Sequence, residues 1–397
     1  MRLLYLTQRL PFAPNRGDRL RAYYMLRHLA RHHDVHLVSL AHDEEEASHA
    51  ADLNGLAASV TIGRPRALHR LANAAGALAA RKTLTHALLD APGLTASLER
   101  LVARHRPQLV IGYCSGMARF ALEPPLQRRP LVVDMVDVDS EKWSALGRTA
   151  RAPMRWIYRR EAVLLRRFER RALAQAAATL VVNEREAALL RDVGAGRIDV
   201  VPNGIELDGL QPAGPPPTAP RVVFCGVMNY APNEAAALWL GRTIWPLVRR
   251  ERPDAALTLV GAHPTRRLHQ LAESDPTIDV TGSVDDVRPF LWRSAVSVAP
   301  LLVARGIQNK VLEATAAGLP SVVTRAVYDG LPIEVTAACA RAEDAPAFSR
   351  AILRLLSLGA DERRAIAGRA ALDRLAWSHT LAPLEPILDW SVRARPS

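Results

Sequence analysis

Lys310 and Glu313 are the pair in this chain best suited to chemistry. Three positions apart, they share one face of any helix, and their surroundings predict one. Gln308 and Asn309 open it after a turn at Arg305-Gly306, and Gly318-Leu319-Pro320 closes it. Helix N-termini present unpaired N–H groups and a partial positive charge, which suits a phosphate. An ammonium beside a diphosphate, with a carboxylate one turn deeper able to grip a ribose diol, is one way to hold a sugar nucleotide. In that reading Arg305 and Lys310 neutralise the diphosphate, Glu313 takes the ribose, and Gly306, Gln308 and Asn309 line the rest.

Ligands of open parallel sheets lie beyond the carboxyl ends of the strands, so loops that follow apolar runs are the other candidates. After Leu3–Thr7, Gly17 would let backbone approach a diphosphate as a close donor. Asp18 is a suitable N-cap for a helix starting near Leu20, and Arg16 stands beside them. After Leu109–Gly112, the small-residue turn Tyr113 to Met117 offers Ser115 and Gly116 to a ligand. None of the twelve histidines falls there. After Leu131–Asp134, Asp137 is expected to meet acceptor hydroxyls, with Asp139-Ser140 capping the next helix. The spacing Asp137-Val138-Asp139 would also suit Mn²⁺ or Mg²⁺, but it is common, and no metal is expected. In the second half, Gly226 and Asn229 follow Arg221–Cys225, and Gly261 follows Leu257–Val260. Residues 226–233 contain no cation, which transfers charge neutralisation to Arg305 and Lys310.

These loops need strands to hold them. Apolar runs at Leu3–Thr7, Val35–Leu40, Ser59–Ile62, Leu109–Gly112, Leu131–Asp134, Thr179–Val182 and Asp199–Val201 are followed by Arg221–Cys225, Leu257–Val260, Ile278–Val280, Val296–Ala299, Ser321–Val323 and Ala338–Arg341. Helical patterns separate them, which predicts parallel, helix-covered sheets. A proline-rich stretch at 208–220 reads as a semi-rigid linker. It divides a first domain, 1–207, from a second, 221–375, leaving a terminal helix within 376–397.

The stretch Glu313-Ala314-Thr315-Ala316-Ala317-Gly318-Leu319-Pro320 resembles the donor motif of family-four-type retaining glycosyltransferases. The string Arg305-Gly306-Ile307-Gln308-Asn309-Lys310 is similar to a subfamily associated with exopolysaccharide synthesis and the exosortase system. So are Leu6 to Asp18 and Val133 to Trp143. The resemblance implies the GT-B fold: two facing Rossmann-like parallel-sheet domains with a cleft between them, and a final helix crossing back to the first. It implies that Ser283 and Val284 bracket the nucleotide base. It also implies retaining transfer of a sugar from a nucleoside-diphosphate donor to a saccharide, lipid-linked in this subfamily, without a cofactor. The first glutamate of the family motif falls on Arg305, and the family's loop histidine has no counterpart. Two rivals share the phosphate site: a nucleotide-sugar epimerase, which would isomerise donor without acceptor, and a degenerate scaffold of a membrane assembly, which would bind no nucleoside diphosphate.

Composition narrows the partners. A net charge of +12 over 397 residues favours something anionic. Zinc-ligand spacing and aromatic ribonucleoprotein motifs are missing and aromatics are only 5%, which sets nucleic acid aside. Met1 to Arg9 reads as a first strand, not a signal peptide, and no apolar run reaches membrane-spanning length. Three scattered cysteines fit a reducing cytosol. Two basic amphipathic segments, Arg64–Lys82 and Arg148–Arg171, could lie on the anionic inner face of the cytoplasmic membrane. The alternative for each is an apolar stripe packed on the domain core with a solvated basic face.

Overall fold

The computed structural model describes the chain except residues 13–16, 66–72, 74, 75, 79, 81, 213, 216, 305, 306 and 395–397. It divides into two compact units, Met1–Gly204 with Thr380–Ser397, and Ile205–His379.

The first unit holds β1 (Arg2–Thr7), β2 (Asp34–Leu40), β3 (Ser59–Gly63), β4 (Leu109–Tyr113), β5 (Leu131–Val136), β6 (Ala178–Val181) and β7 (Ile198–Val200). They pair in the order β3-β2-β1-β4-β5-β6-β7, every pair parallel. β4 is buried along its whole length and β1 along all but its first residue. Strands covered on both faces must be continuously apolar, which is why they were readable as runs. The last helix, Leu384–Arg393, belongs to this unit and lies against β4 and β5, burying Leu384, Ile387 and Leu388. Its Glu385 accepts from His33 Nε2 at 2.8 Å, and its Trp390 ring lies 4.2 Å from the Arg197 guanidinium.

The second unit holds β8 (Arg221–Cys225), β9 (Ala256–Val260), β10 (Ile278–Val280), β11 (Val296–Ala299), β12 (Ser321–Val323) and β13 (Cys339–Arg341). Their order is β10-β9-β8-β11-β12-β13, again parallel throughout. A core built on Val222, Phe224, Leu257, Val296, Val322, Trp245 and Phe348 fills one side. The proline-rich stretch is tied down within this unit: Trp292 Nε1 donates to Leu210 O, and Arg363 and Arg364 donate to Pro217 O and Gly214 O.

In each sheet the strand order reverses direction once, between β1 and β4 and between β8 and β11. Those reversals are where open parallel sheets bind ligands. The loops after β1, β4, β8 and β11 are therefore the ones to inspect.

Candidate functional site

In the second unit, Lys310 and Glu313 lie on the helix Asn309–Ala316, which follows β11. Gln308 holds the N-cap position and its side chain makes no capping hydrogen bond. The other end is fixed by Gly318 at φ +81°, with Gly318 N donating to Thr315 O and Leu319 N to Ala314 O. Only a glycine adopts that left-handed turn freely, and it sends the chain directly into β12.

Lys310 reaches across to the loop after β8. Its Nζ donates to Asn233 Oδ1 at 2.8 Å and stands 4.7 Å from the Phe224 ring centroid. The Asn233 amide is held in turn, donating to Val227 O at 2.9 Å. A side chain at Gly226 would come within 3.0 Å of Lys310 Nζ and 2.8 Å of Asn233 Nδ2, so this close approach depends on glycine. Gly261, at the end of β9, is packed harder still: a Cβ there would lie 1.8 Å from Gly226 O. Backbone bonds from Gly226 N to Val260 O and from Met228 N to Ala262 O zip the two loops together.

Among the described residues Lys310 forms no ion pair. Burial lowers its ammonium to about 8, partly offset by the Cys225 sulfur and the Glu313 carboxyl. Burial likewise raises the Glu313 carboxyl, against the pull of Lys310. The site thus contains a cation held by an amide oxygen and a ring face rather than by a carboxylate, a strong attractor for an anion. Burial pushes the Cys225 and Cys339 thiols to about 12 and Cys114 well above its usual range, so no thiolate nucleophile is available.

The remaining second-unit candidates fall on the same edge of the sheet. Asn309 and Gln308 are half-buried, Asn229 and Ser283 are exposed, and Val284 packs with Cys225 against Val223, Val260 and Ala314. Arg305 and Gly306 lie outside the described residues, as does Arg16 in the first unit.

The first unit differs from expectation in three places. The helix after β1 spans Gly17–Leu29, so it does not begin near Leu20, and Asp18 sits inside its first turn rather than capping it. The turn expected at Tyr113 to Met117 is instead the start of the helix Cys114–Ala121, directly off β4. Gly112 permits this, because a Cβ there would lie 2.9 Å from Ala118 Cα. Finally, Asp139-Ser140 do not cap the helix Asp139–Thr149; Val138 occupies the cap position without a capping side chain. Glu169 accepts from Ser140 N at 2.9 Å and from Ser140 Oγ in its place.

What the first unit does bring together is a polar cluster at the ends of β4 and β5. Ser115 Oγ donates to Asp139 Oδ2 at 2.7 Å, and Lys142 Nζ bridges Asp137 (3.0 Å) and Asp139 (3.3 Å). Both carboxylates of the Asp-x-Asp spacing are thus engaged by one ammonium. Beside it, Cys114 (φ +63°) and Val136 (φ +64°) adopt left-handed backbone that costs a non-glycine residue about 1–3 kcal/mol each.

Sequence reasoning missed three supporting side chains. Buried Glu46 holds the loop after β1, accepting from Leu10 N (3.1 Å) and His42 N (2.9 Å) and pairing with Arg19 at 3.3 Å. Arg21, 1% exposed, pairs with buried Asp134 through two bonds of 2.7 and 3.2 Å and donates to Val201 O and Asn203 Oδ1. Asn233 lies in the stretch 226–233 that offers no cation, yet it is the residue that seats Lys310. Each has at least one partner 36 or more positions away, and nothing local marks such a pair.

No curated protein matches the chain by sequence. Among solved structures it is similar to sucrose-phosphate synthase from Thermosynechococcus elongatus, at 16% identity and a TM-score of 0.69, covering 99% of this chain and 100% of that one. It is also similar to HepE from Anabaena in complex with UDP and glucose (14% identity, TM-score 0.64, 98% and 99% covered). A glycosyltransferase from Rickettsia africae matches at 12% identity, TM-score 0.65 and 98% of each chain. Both units thus have the GT-B type of Rossmann-like architecture. The family described as glycosyl transferase 4-like domain matches residues 17–204, and that described as glycosyl transferases group 1 matches residues 219–358. With one family domain in each of its two parallel-sheet units, the chain belongs to the group 1 glycosyltransferases and is an enzyme of that kind.

Proposed function

We propose that this enzyme transfers a glycosyl group from a nucleoside-diphosphate sugar to a hydroxyl of a saccharide, lipid-linked and destined for exopolysaccharide, in the cytoplasm. The observation that carries the reading is Lys310: a cation without an ion pair among the described residues, aimed at the Gly226 loop at the reversal point of its sheet. Several of the similar structures hold UDP or a UDP-sugar, which supports a nucleotide donor.

The chemical difficulty is departure of a diphosphate with new negative charge. Preorganised cations and N–H groups aimed at that charge lower the barrier more than any other help a protein can give. Lys310 and Arg305 take the diphosphate, Glu313 the ribose, and Gly226, Gly261, Asn229, Ser283 and Val284 the remainder of the donor. To Gly17 we assign the part of a close backbone donor, and to Arg16, Asp18, Ser115 and Asp137 contacts with the acceptor. With charge neutralised by side chains, no divalent cation is required. Transfer proceeds with retention: the acceptor oxygen attacks the face the diphosphate leaves, and a departing phosphate oxygen takes the acceptor proton. No protein nucleophile takes part, consistent with three thiols raised by burial.

Donor turnover by Lys310→Ala and Glu313→Ala tests the assignment. Loss of one charge-assisted contact to the leaving group should lower kcat/KM about 100-fold in Lys310→Ala, and Glu313→Ala should chiefly raise donor KM. Chelator should leave wild-type turnover unchanged. Undiminished activity in both variants would remove these residues from the donor site.

A further inference from the structure

The two basic amphipathic segments of the sequence meet in the fold. Arg160, on the helix Met154–Gln175, donates through Nη2 to Ala77 O (2.8 Å), Leu78 O (3.4 Å) and Lys82 O (2.9 Å). The inner face of that helix is fully employed. Glu161, Leu165, Glu169, Ala172 and Leu173 are buried, and the two glutamates are the only carboxylates the helix has. Both therefore point inward, and the outer face has no negative charge.

That outer face is apolar and cationic together. Trp156 is 62% exposed and Val163 53%. Seven residues apart, they stand two turns from one another on one line along the helix. Arg159 and Arg167, also exposed, lie three or four residues from them on the same side. On the flank held by Arg160, Leu78 is 36% exposed and Lys82 is exposed too. Indole prefers the headgroup layer of a bilayer, and arginine beside it pairs with lipid phosphate.

We propose that this face docks the enzyme on an anionic lipid bilayer, with Trp156 in the headgroup layer and Arg159 and Arg167 on the lipid phosphates. Charge complementarity selects the occupant: a stripe with cations and no carboxylate repels a basic surface and gains little from a neutral one. The docking face belongs to this helix and its Arg160-held flank, in the first unit, whereas Lys310 and Glu313 belong to the second.

Flotation of the full chain with vesicles tests it, using phosphatidylglycerol mixed equally with phosphatidylcholine against phosphatidylcholine alone. Wild type should float with the anionic vesicles only, and less at about 0.5 M salt, where screening is short-ranged. The double variant Arg159→Ser/Arg167→Ser should bind about 25-fold more weakly, about fivefold per arginine. Trp156→Ser should also weaken binding, whereas Ile333→Ser, which trims a side chain 80% exposed on the second unit, should float like wild type. Equal flotation with neutral vesicles, or wild-type flotation by both helix variants, overturns the proposal. So does a Trp156→Ser variant that floats normally but turns a sedimenting dimer into a monomer, since the face would then belong to a second copy of the chain.

Discussion

Lys310 condenses the site to one side chain, and its ionisation makes a prediction in each direction of pH. In the ligand-free protein burial holds the ammonium at about 8. A diphosphate selects the charged form, so above that pH the proton must be taken up with the ligand. Affinity for a nucleoside diphosphate should fall as pH rises from 7 to 9, approaching tenfold per unit, and calorimetry in buffers of different ionisation enthalpy should register the proton uptake. Lys310→Arg keeps its charge throughout, so its binding should be flat over that range; a wild-type profile that is equally flat would place the diphosphate elsewhere. Stability runs by the same linkage. The folded pKa is depressed below the unfolded value of about 10.4, so the penalty on folding is full below about pH 8 and is relieved as pH rises toward 10.4. Lys310→Met should therefore melt higher than wild type at pH 7. The neighbouring glycines separate packing from charge. Gly261→Ala meets backbone and cannot be accommodated without moving the loop, while Gly226→Ala meets only the ends of Lys310 and Asn233. The latter should fold normally and lose donor affinity.

At the scale of elements, the arginine-rich helix Met154–Gln175 serves as an internal beam. Two helices lean on it that lack capping side chains of their own. Glu161 accepts from Leu84 N (2.9 Å) and Thr85 N (2.8 Å) at the start of Leu84–Ala87, and Glu169 does the same for Ser140 on Asp139–Thr149. Carboxylates at these positions satisfy orphan N–H groups and complement the helix dipole. Burial raises the Glu169 carboxyl, and the two Ser140 bonds draw it back down. Glu169→Ala leaves Ser140 N and Oγ without their partner, and a shift of about 1–3 kcal/mol in urea unfolding is expected. Because Asp139 in that helix holds both Ser115 and Lys142, the same variant should disturb the polar cluster at the ends of β4 and β5. An unchanged unfolding midpoint would show that the cap is dispensable. Breaking the buried Arg21–Asp134 pair is a larger event: Arg21→Ala should cost about 3–5 kcal/mol, since it strands a carboxylate with no exposure to water.

For the molecule as a whole, architecture was far more legible than support. All thirteen strands of the described residues coincide with the runs the sequence offers, most cleanly in central strands such as β1 and β4, which are buried on both faces and have nowhere to place charge. The strand-end glycines Gly226 and Gly261 could be read for the same reason, since they follow those runs directly, and Lys310 by its place on the helix that leads from one run to the next. The partners that hold them could not, since Asn233, Glu46 and Arg21 are ordinary polar residues until the chain folds and sets them against targets far away in sequence. One further prediction belongs at this scale. Lys310, Glu313, Gly226, Asn233 and Gly261 all lie in Ile205–His379, which has its own sheet and its own core. Binding energy from a nucleoside diphosphate should therefore enter the stability of that unit. At about 100 times its Kd the ligand should add about 2.7 kcal/mol, seen as slowed hydrogen exchange in β8, β9, β11 and the helix Asn309–Ala316. Amides of β1 to β7 should keep their free-state rates with the diphosphate alone. Running uridine and guanosine diphosphates in parallel would name the preferred base, and protection confined to β1–β7 instead would move the donor site to the other unit.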